Sequence, residues 1–369
     1  MKHMKFLALA LCAALLFSLC AACKPAAADP SDAPGQEATE PVEPTGEPSE
    51  EPSAEPSETP GLADDEQPDI RLAVLSGPTG VGAAKLLDSI DSSSAGLSFS
   101  GYKFGIYTDN SELVAGLSSG EIDIATMASN VAVNLYNKTD GGVKIIAVGT
   151  LGVLHILEGS GGTSIHSVED LRGKTIYSAG QGANPEYILR YLLQESGLEP
   201  GTDVEIVFAD ATEISAKLLS GDIECAMLPV PAATAAIAKG EGQVRAAIDV
   251  TEAWDALKTG SPLVMTAVVA RTAYLEAYPD RVADFLADYE ASINFVNNNI
   301  DAAAEIVAGY GLTPSAGIAK QAIPQCHLTF IDGVDMMAAM SGYYSVLYSI
   351  DPASVGGSVP DDGIYWLNG

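Results

Sequence analysis

The chain has 369 residues, 49 of them acidic and 18 basic, giving a formal net charge of -31, with 7% aromatic residues and five cysteines. That length accommodates one large or two modest domains with a sizeable core, and 47% hydrophobic residues are too many for a wholly disordered chain. The acidity excludes proteins that work by gripping phosphate backbones, because nucleic-acid affinity comes from clustered Lys and Arg.

Lys2 and Lys5 precede an apolar run from Phe6 to Leu19 and small residues ahead of Cys23. The run is shorter than the roughly 20 residues a helix needs to span about 30 Å of bilayer core, so residues 1–23 are predicted to be an export signal. Its end, Leu19-Cys20-Ala21-Ala22-Cys23, resembles the lipobox of bacterial lipoproteins, although Cys20 stands where that family usually carries Leu. The resemblance implies lipidation of Cys23 and anchoring to the outer face of the cell membrane; a plain secretory signal would instead leave a freely diffusing protein. Residues 24–69 hold 14 acids, one base and ten of the 21 prolines. Such a stretch cannot bury enough apolar surface to offset the entropy of ordering it, so a disordered tether with a span of about 35 to 40 Å is expected.

From residue 70 onward, short apolar β-branched runs alternate with helical spacing. Ile70 to Leu75, Lys103 to Tyr107, Ile122 to Met127 and Val143 to Thr150 read as strands. A second set follows at Gly173 to Tyr177, Val204 to Phe208, Ile223 to Leu228 and Val244 to Ile248. Gly120-Glu121-Ile122-Asp123-Ile124-Ala125 and Gly221-Asp222-Ile223-Glu224-Cys225-Ala226 echo one another, each closing a helix with Gly and opening a strand. The expectation is an α/β chain of two doubly wound lobes with mostly parallel sheets and a ligand cleft between them. Residues 70–155 with 263–369 would form the first lobe and 156–262 the second. The one further strand, Leu263 to Ala270, and the helical tail pack back on the first lobe, so that two crossovers join the lobes, near 151 to 165 and 249 to 262.

Catalytic and cofactor motifs fail in detail. Gly77-Pro78-Thr79-Gly80-Val81-Gly82-Ala83-Ala84-Lys85 lacks the contiguous Gly-Lys-Ser/Thr of a phosphate loop, and a dinucleotide fingerprint wants a small residue where Lys85 stands. The four histidines are scattered; Cys326-His327 is the one close pair of soft ligands, without a second pair at zinc spacing. Neither a Gly-x-Ser-x-Gly elbow nor a His-Glu-x-x-His helix occurs, so no cofactor, metal or enzyme activity is expected. Asp109, Glu213 and His155 are the acid–base candidates if a reaction were catalysed. A Cys225–Cys326 disulfide stays open in an exported chain.

The run Ser167-Val168-Glu169-Asp170-Leu171-Arg172-Gly173-Lys174-Thr175-Ile176-Tyr177, with Gly180-Gln181-Gly182-Ala183-Asn184-Pro185-Glu186-Tyr187, resembles the second-lobe entry of ABC-transporter substrate-binding proteins. The likeness is to the group related to binding proteins for nitrate, sulfonates, taurine and thiamine pyrimidine precursors, which implies the type II periplasmic binding protein fold. Ser220 to Pro229, Asp249 to Trp254 and Gly356 to Asp362 extend the likeness over essentially all of 70–369. The family often carries Glu-Pro after the position of Pro229; here Val230-Pro231 removes that carboxylate. Membership implies a monomeric extracytoplasmic receptor that captures a small solute and delivers it to an ABC permease with its ATPase. A sensory receptor for a signalling partner is the alternative function.

On that architecture the solute meets five loops: Gly77 to Gly82, Ala128 to Asn130, Gly180 to Asn184, Ala209 to Glu213 and Pro229 to Pro231. The candidate ligand-binding residues are Pro78, Thr79, Gly80, Ser129, Asn130, Gln181, Gly182, Ala183, Asn184, Glu213 and Pro229. None of the five loops contains Lys or Arg. Two ligand classes fit equally: an anion held by helix-start N–H groups, or a neutral or zwitterionic molecule with Glu213 meeting an amine. Helix capping is the structural alternative for Ser129, Asn130, Asn184 and Thr212.

Overall fold

The structure is a computed structural model and describes residues 68–93 and 96–367; the export segment, Cys23 and the acidic tether as far as residue 67 lie outside the described residues. Four strands open the chain, β1 (Ile70–Leu75), β2 (Tyr102–Tyr107), β3 (Ile124–Ala128) and β4 (Val143–Thr150), separated by α1 (Pro78–Asp91), α2 (Asn110–Ser119) and α3 (Ser129–Lys138). The chain then builds a second sheet from β5 (Leu154–Glu158), β6 (Thr175–Ser178), β7 (Glu205–Phe208), β8 (Cys225–Pro229) and β9 (Arg245–Asp249). Helices α4 (Asn184–Glu195), α5 (Ala211–Ser220) and α6 (Ala232–Lys239) alternate with these strands, and α7 (Val250–Ala256) follows β9. The return leg supplies β10 (Thr266–Arg271), α8 (Thr272–Ala277), α9 (Pro279–Asn298), α10 (Ile300–Gly309), α11 (Ala316–Ala322), β11 (Leu328–Ile331) and α12 (Gly333–Ile350).

The six-stranded sheet runs β11-β4-β10-β3-β1-β2 and the five-stranded sheet β7-β6-β8-β5-β9. Both are mixed rather than mostly parallel. β10 is antiparallel to β3 and β4, β11 to β4, and β5 to β8 and β9, while β1, β2 and β3, and likewise β6, β7 and β8, pair in parallel. Strand direction is a property of the route between strands, and apolar patterning does not carry it. β5 was hidden in the expected crossover because His155 and Glu158 interrupt its apolar run; it lies between β8 and β9, so the second sheet starts at Leu154.

The two echoed Gly segments behave alike. Gly120 and Gly221 both end their helices in the left-handed region at φ 80°, where a side chain would be strained, and the strands that follow occupy equivalent positions in their sheets. The larger core gathers Val74, Ile124, Val268 and Phe285 from the first sheet and its helices, and reaches Ile156 and Ile188 of the second. A smaller core, with Leu157, Ile214 and Leu228, fills the other face of the second sheet. α12 ties the two parts together at the rear: Tyr343 packs on Trp254 with ring centroids 5.7 Å apart, and Trp254 on Tyr191 of α4 at 5.3 Å. Cys225 and Cys326 are both buried free thiols, which answers the disulfide question, and burial pushes each thiol up to about 12.

Candidate functional site

Between the two sheets lies a cavity of about 640 Å³. In an α/β fold the strand C-terminal ends and the helix starts that follow them face the same way, so their loops converge on a crevice. Here Leu75, Ala128 and Pro229 end β1, β3 and β8 on its wall, and six helices begin at it: α1 through Pro78 and Thr79, α2 through Asn110, α3 through Ala128, α4 through Ala183 and Asn184, α5 through Ala211 and Thr212, and α6 through Ala232. Each start directs N–H groups without intrahelical partners, and the positive end of the helix dipole, toward the space. Val153, Val230, Met265, Leu312 and Pro314 add aliphatic wall, and Ser76, Thr108 and Thr266 add hydroxyl-bearing side chains. Among the described residues, no Lys, Arg, His or aromatic side chain lines the cavity, and Asp210 is its one charged group.

All five expected loops contribute lining residues, though not every expected side chain does. Pro78, Thr79, Ala183, Asn184 and Pro229 line the cavity. Gly80 lies beneath the first turn of α1, where a Cβ would come within 2.6 Å of Leu312 Cδ2, so the glycine permits close packing. Ser129 is fully buried and its hydroxyl donates to Val264 O at 2.7 Å. Asn130 is also buried, and its Nδ2 donates to Gly182 O at 3.2 Å, while Gln181 and Gly182 are exposed outside the lining. Glu213 is exposed and paired with Lys217 at 2.8 Å, one helical turn on. The carboxylate facing the cavity is instead Asp210, at the N-cap position of α5 with no side-chain cap bond.

Asn184 lines the cavity but its amide is engaged elsewhere. Nδ2 donates to Ser129 Oγ at 2.9 Å and to Met265 O at 2.7 Å, and Oδ1 accepts from the Tyr343 hydroxyl at 3.0 Å. It therefore joins the start of α4 to the first sheet and α12. Thr266 opens β10 at the cavity; its Oγ1 is buried and has no partner among the described residues, a costly state unless a bound group supplies one. Thr266, Leu312 and Pro314 come from the return leg of the chain, which local pattern could not place at the cleft; Asp210 and Thr212 were within an expected loop.

The acid–base candidates stand apart. Asp109 caps α2 by accepting from Ser111 N at 2.7 Å, a bond that holds its carboxyl below the usual range. His155 is in β5, where burial lowers its pKa, and neither residue lines the cavity. No cluster of three or more His, Cys, Asp or Glu able to hold a metal occurs among the described residues, and no helix among them is long and apolar enough to cross a membrane.

Residues 88–318 match the family model described as ABC transporter, phosphonate, periplasmic substrate-binding protein. No curated protein sequence matches the chain. Among solved structures, an ABC transporter protein from Parabacteroides distasonis superposes with a TM-score of 0.68 at 22% identity, covering 81% of this chain and 99% of the other. The periplasmic aliphatic sulphonate binding protein SsuA of Escherichia coli gives 0.65 at 16%, covering 81% and 92%. The alkanesulfonate-binding protein SsuA of Xanthomonas axonopodis pv. citri, bound to MOPS, gives 0.60 at 15%, covering 80% and 96%. At these identities the structures establish the shared periplasmic binding protein fold, while the family model spans more than half of the chain. The cleft thus sits in a known kind of receptor, and the chain belongs to the phosphonate-type periplasmic substrate-binding proteins of ABC transporters, which capture solutes for import.

Proposed function

We propose that the cleft captures a small aliphatic solute carrying an oxyanion at one end and an amine at the other, of the aminoalkylphosphonate kind, and presents it to an ABC permease. The observation that carries this reading is the charge inventory of the cavity: six helix starts, no basic side chain, and Asp210 as the one charged group. The oxyanion belongs at the start of α1, where Thr79 lines the cavity in the first turn and the Thr266 hydroxyl, without a partner among the described residues, lies on the same lobe. An anion at the start of α5 would instead meet Asp210, which suits an ammonium group. The absence of an aromatic wall disfavours a flat heterocycle, which is best held by ring stacking. Family likeness adds weight to the oxyanion, since the matched model is that of phosphonate binders.

Closure of the two lobes about the connections at 151–153 and 257–265 would bury the solute, and the solute favours the closed form by its extra affinity for it. Lipidation of Cys23 would hold the receptor, as a monomer, beside its permease. A thermal-shift series on the purified chain with aminoalkylphosphonates, alkylphosphonates, alkanesulfonates and amino acids tests the reading. The aminoalkylphosphonates should raise the melting temperature most; a response confined to uncharged compounds would sink it.

A further inference from the structure

At the end of the first sheet away from the cleft, four neighbouring strands bring charged residues into one cross-strand row. Lys103 of β2 stands in register with Arg71 of β1. Asp123, just ahead of β3, donates its N–H to Arg71 O, and Arg271 at the end of β10 donates its N–H to Asp123 O, each at 2.9 Å. Directly opposed residues point to one face of a sheet, so the four side chains share a groove of about 600 Å³.

Asp123 is 1% exposed and accepts from Arg71 Nε at 2.7 Å, Arg71 Nη2 at 2.5 Å and Arg271 Nη2 at 2.8 Å. With the bond from Arg271 Nε to Ile122 O at 3.1 Å, those contacts leave Nη1 of both guanidinium groups without a hydrogen-bond partner among the described residues. Lys103, 73% exposed, meets Asp69 at 2.8 Å. The lining therefore carries three cations against two carboxylates, in a folded region of 35 acids and 15 bases from residue 70 onward, with exposed Glu121 outside it. Tyr274 also lines the groove; it is 3% exposed and its hydroxyl has no partner among the described residues. A brace across β1, β3 and β10 accounts for Asp123 and for the bonded Nε and Nη2 of both guanidinium groups. Asp69 accounts for Lys103, but nothing among the described residues satisfies the buried Tyr274 hydroxyl, which is costly.

We propose that this groove is a second ligand site, for a phosphate-bearing anion held by the Nη1 groups of Arg71 and Arg271, the Lys103 ammonium and the Tyr274 hydroxyl. Donors from four separate side chains suit the several acceptor oxygens of a tetrahedral phosphate better than the two of a planar carboxylate. The phosphate belongs either to a lipid headgroup or to a soluble ester; Pro68, where the chain arrives from its amino-terminal segment, lines the groove.

Nitrogen-15 NMR of the arginine Nε–H signals in the full chain reads this site apart from the cleft, whose lining holds no arginine. Inorganic phosphate is expected to shift the Arg71 and Arg271 signals along a saturating curve. Lys103→Gln and Tyr274→Phe, which leave the Asp123 bridge intact, should each weaken that curve by about fivefold. Shifts that never saturate, that chloride reproduces at equal ionic strength, or that both variants leave unchanged overturn the proposal. Sedimentation with phosphatidylglycerol vesicles then identifies the source: weaker vesicle binding by Lys103→Gln assigns a lipid headgroup, and unchanged vesicle binding beside a saturating phosphate curve assigns a soluble ester.

Discussion

Replacing Asp210 with Asn separates the two ends of the proposed solute. The side chain is exposed within the cavity, carries its one charge, and makes no cap bond to α5, so the substitution removes a charge without opening a hole in a core. For an ammonium group about 3 Å away, Coulomb's law gives about 1.4 kcal/mol at the dielectric constant of water and several times that in a dry site. The aqueous figure is the floor, because closure over the solute dries the site, so an aminoalkylphosphonate should bind at least about tenfold more weakly to Asp210→Asn. The alkylphosphonate of the same chain length, lacking the amine, should bind as well or better, because a carboxylate near its oxyanion has gone. Titration calorimetry of both ligands at one ionic strength makes the comparison. Equal weakening of both would show that Asp210 shapes the cleft without meeting an amine, and the assignment of the two ends would fall.

Glu158 gives a pH test. It accepts bonds from Ser164 N and Oγ, from Ile165 N and from Arg245 Nη2, and although burial alone would raise its pKa these partners hold it at about 2 against an ordinary 4.5. A depressed carboxyl stabilises the fold fully above the unfolded value and loses that contribution as pH falls through the folded one. Glu158→Gln should therefore lower stability by about 3 kcal/mol at pH 7, with the two proteins converging between pH 4.5 and about 2 in urea titrations; a constant offset would contradict this. Asn184→Ala leaves the Tyr343 hydroxyl, Ser129 and Met265 O short of a partner, so denaturation should show a loss of about 2 to 4 kcal/mol, and no loss would mean the amide is not bridging the lobes. Thr266→Val removes a hydroxyl that has no partner among the described residues, so stability should hold or rise by up to about 1 kcal/mol while solute affinity falls. Unchanged affinity on calorimetry would show that the solute does not reach it.

Much of the architecture was legible because it is local. The Gly120 and Gly221 stops, the apolar strands after them and the small residues following Leu75 need only a few consecutive positions to declare themselves. Glu213 illustrates the limit at the site. It lies in the right loop, but the turn of α5 carries it round to Lys217 and leaves Asp210, just ahead of the helix, facing the cavity.

By itself the sequence determined the two sets of alternating strands and helices, the cleft loops and their lack of basic residues, since each depends on the order of neighbouring side chains. The tertiary structure decided the rest: the antiparallel entry of β10, the place of β5, the arrival of Thr266 and Leu312 at the cleft, and the row of Lys103, Arg71, Asp123 and Arg271. These arrangements join residues up to about 240 positions apart, and such contacts are set by how sheets and helices pack to bury their apolar faces, which no local run of sequence encodes.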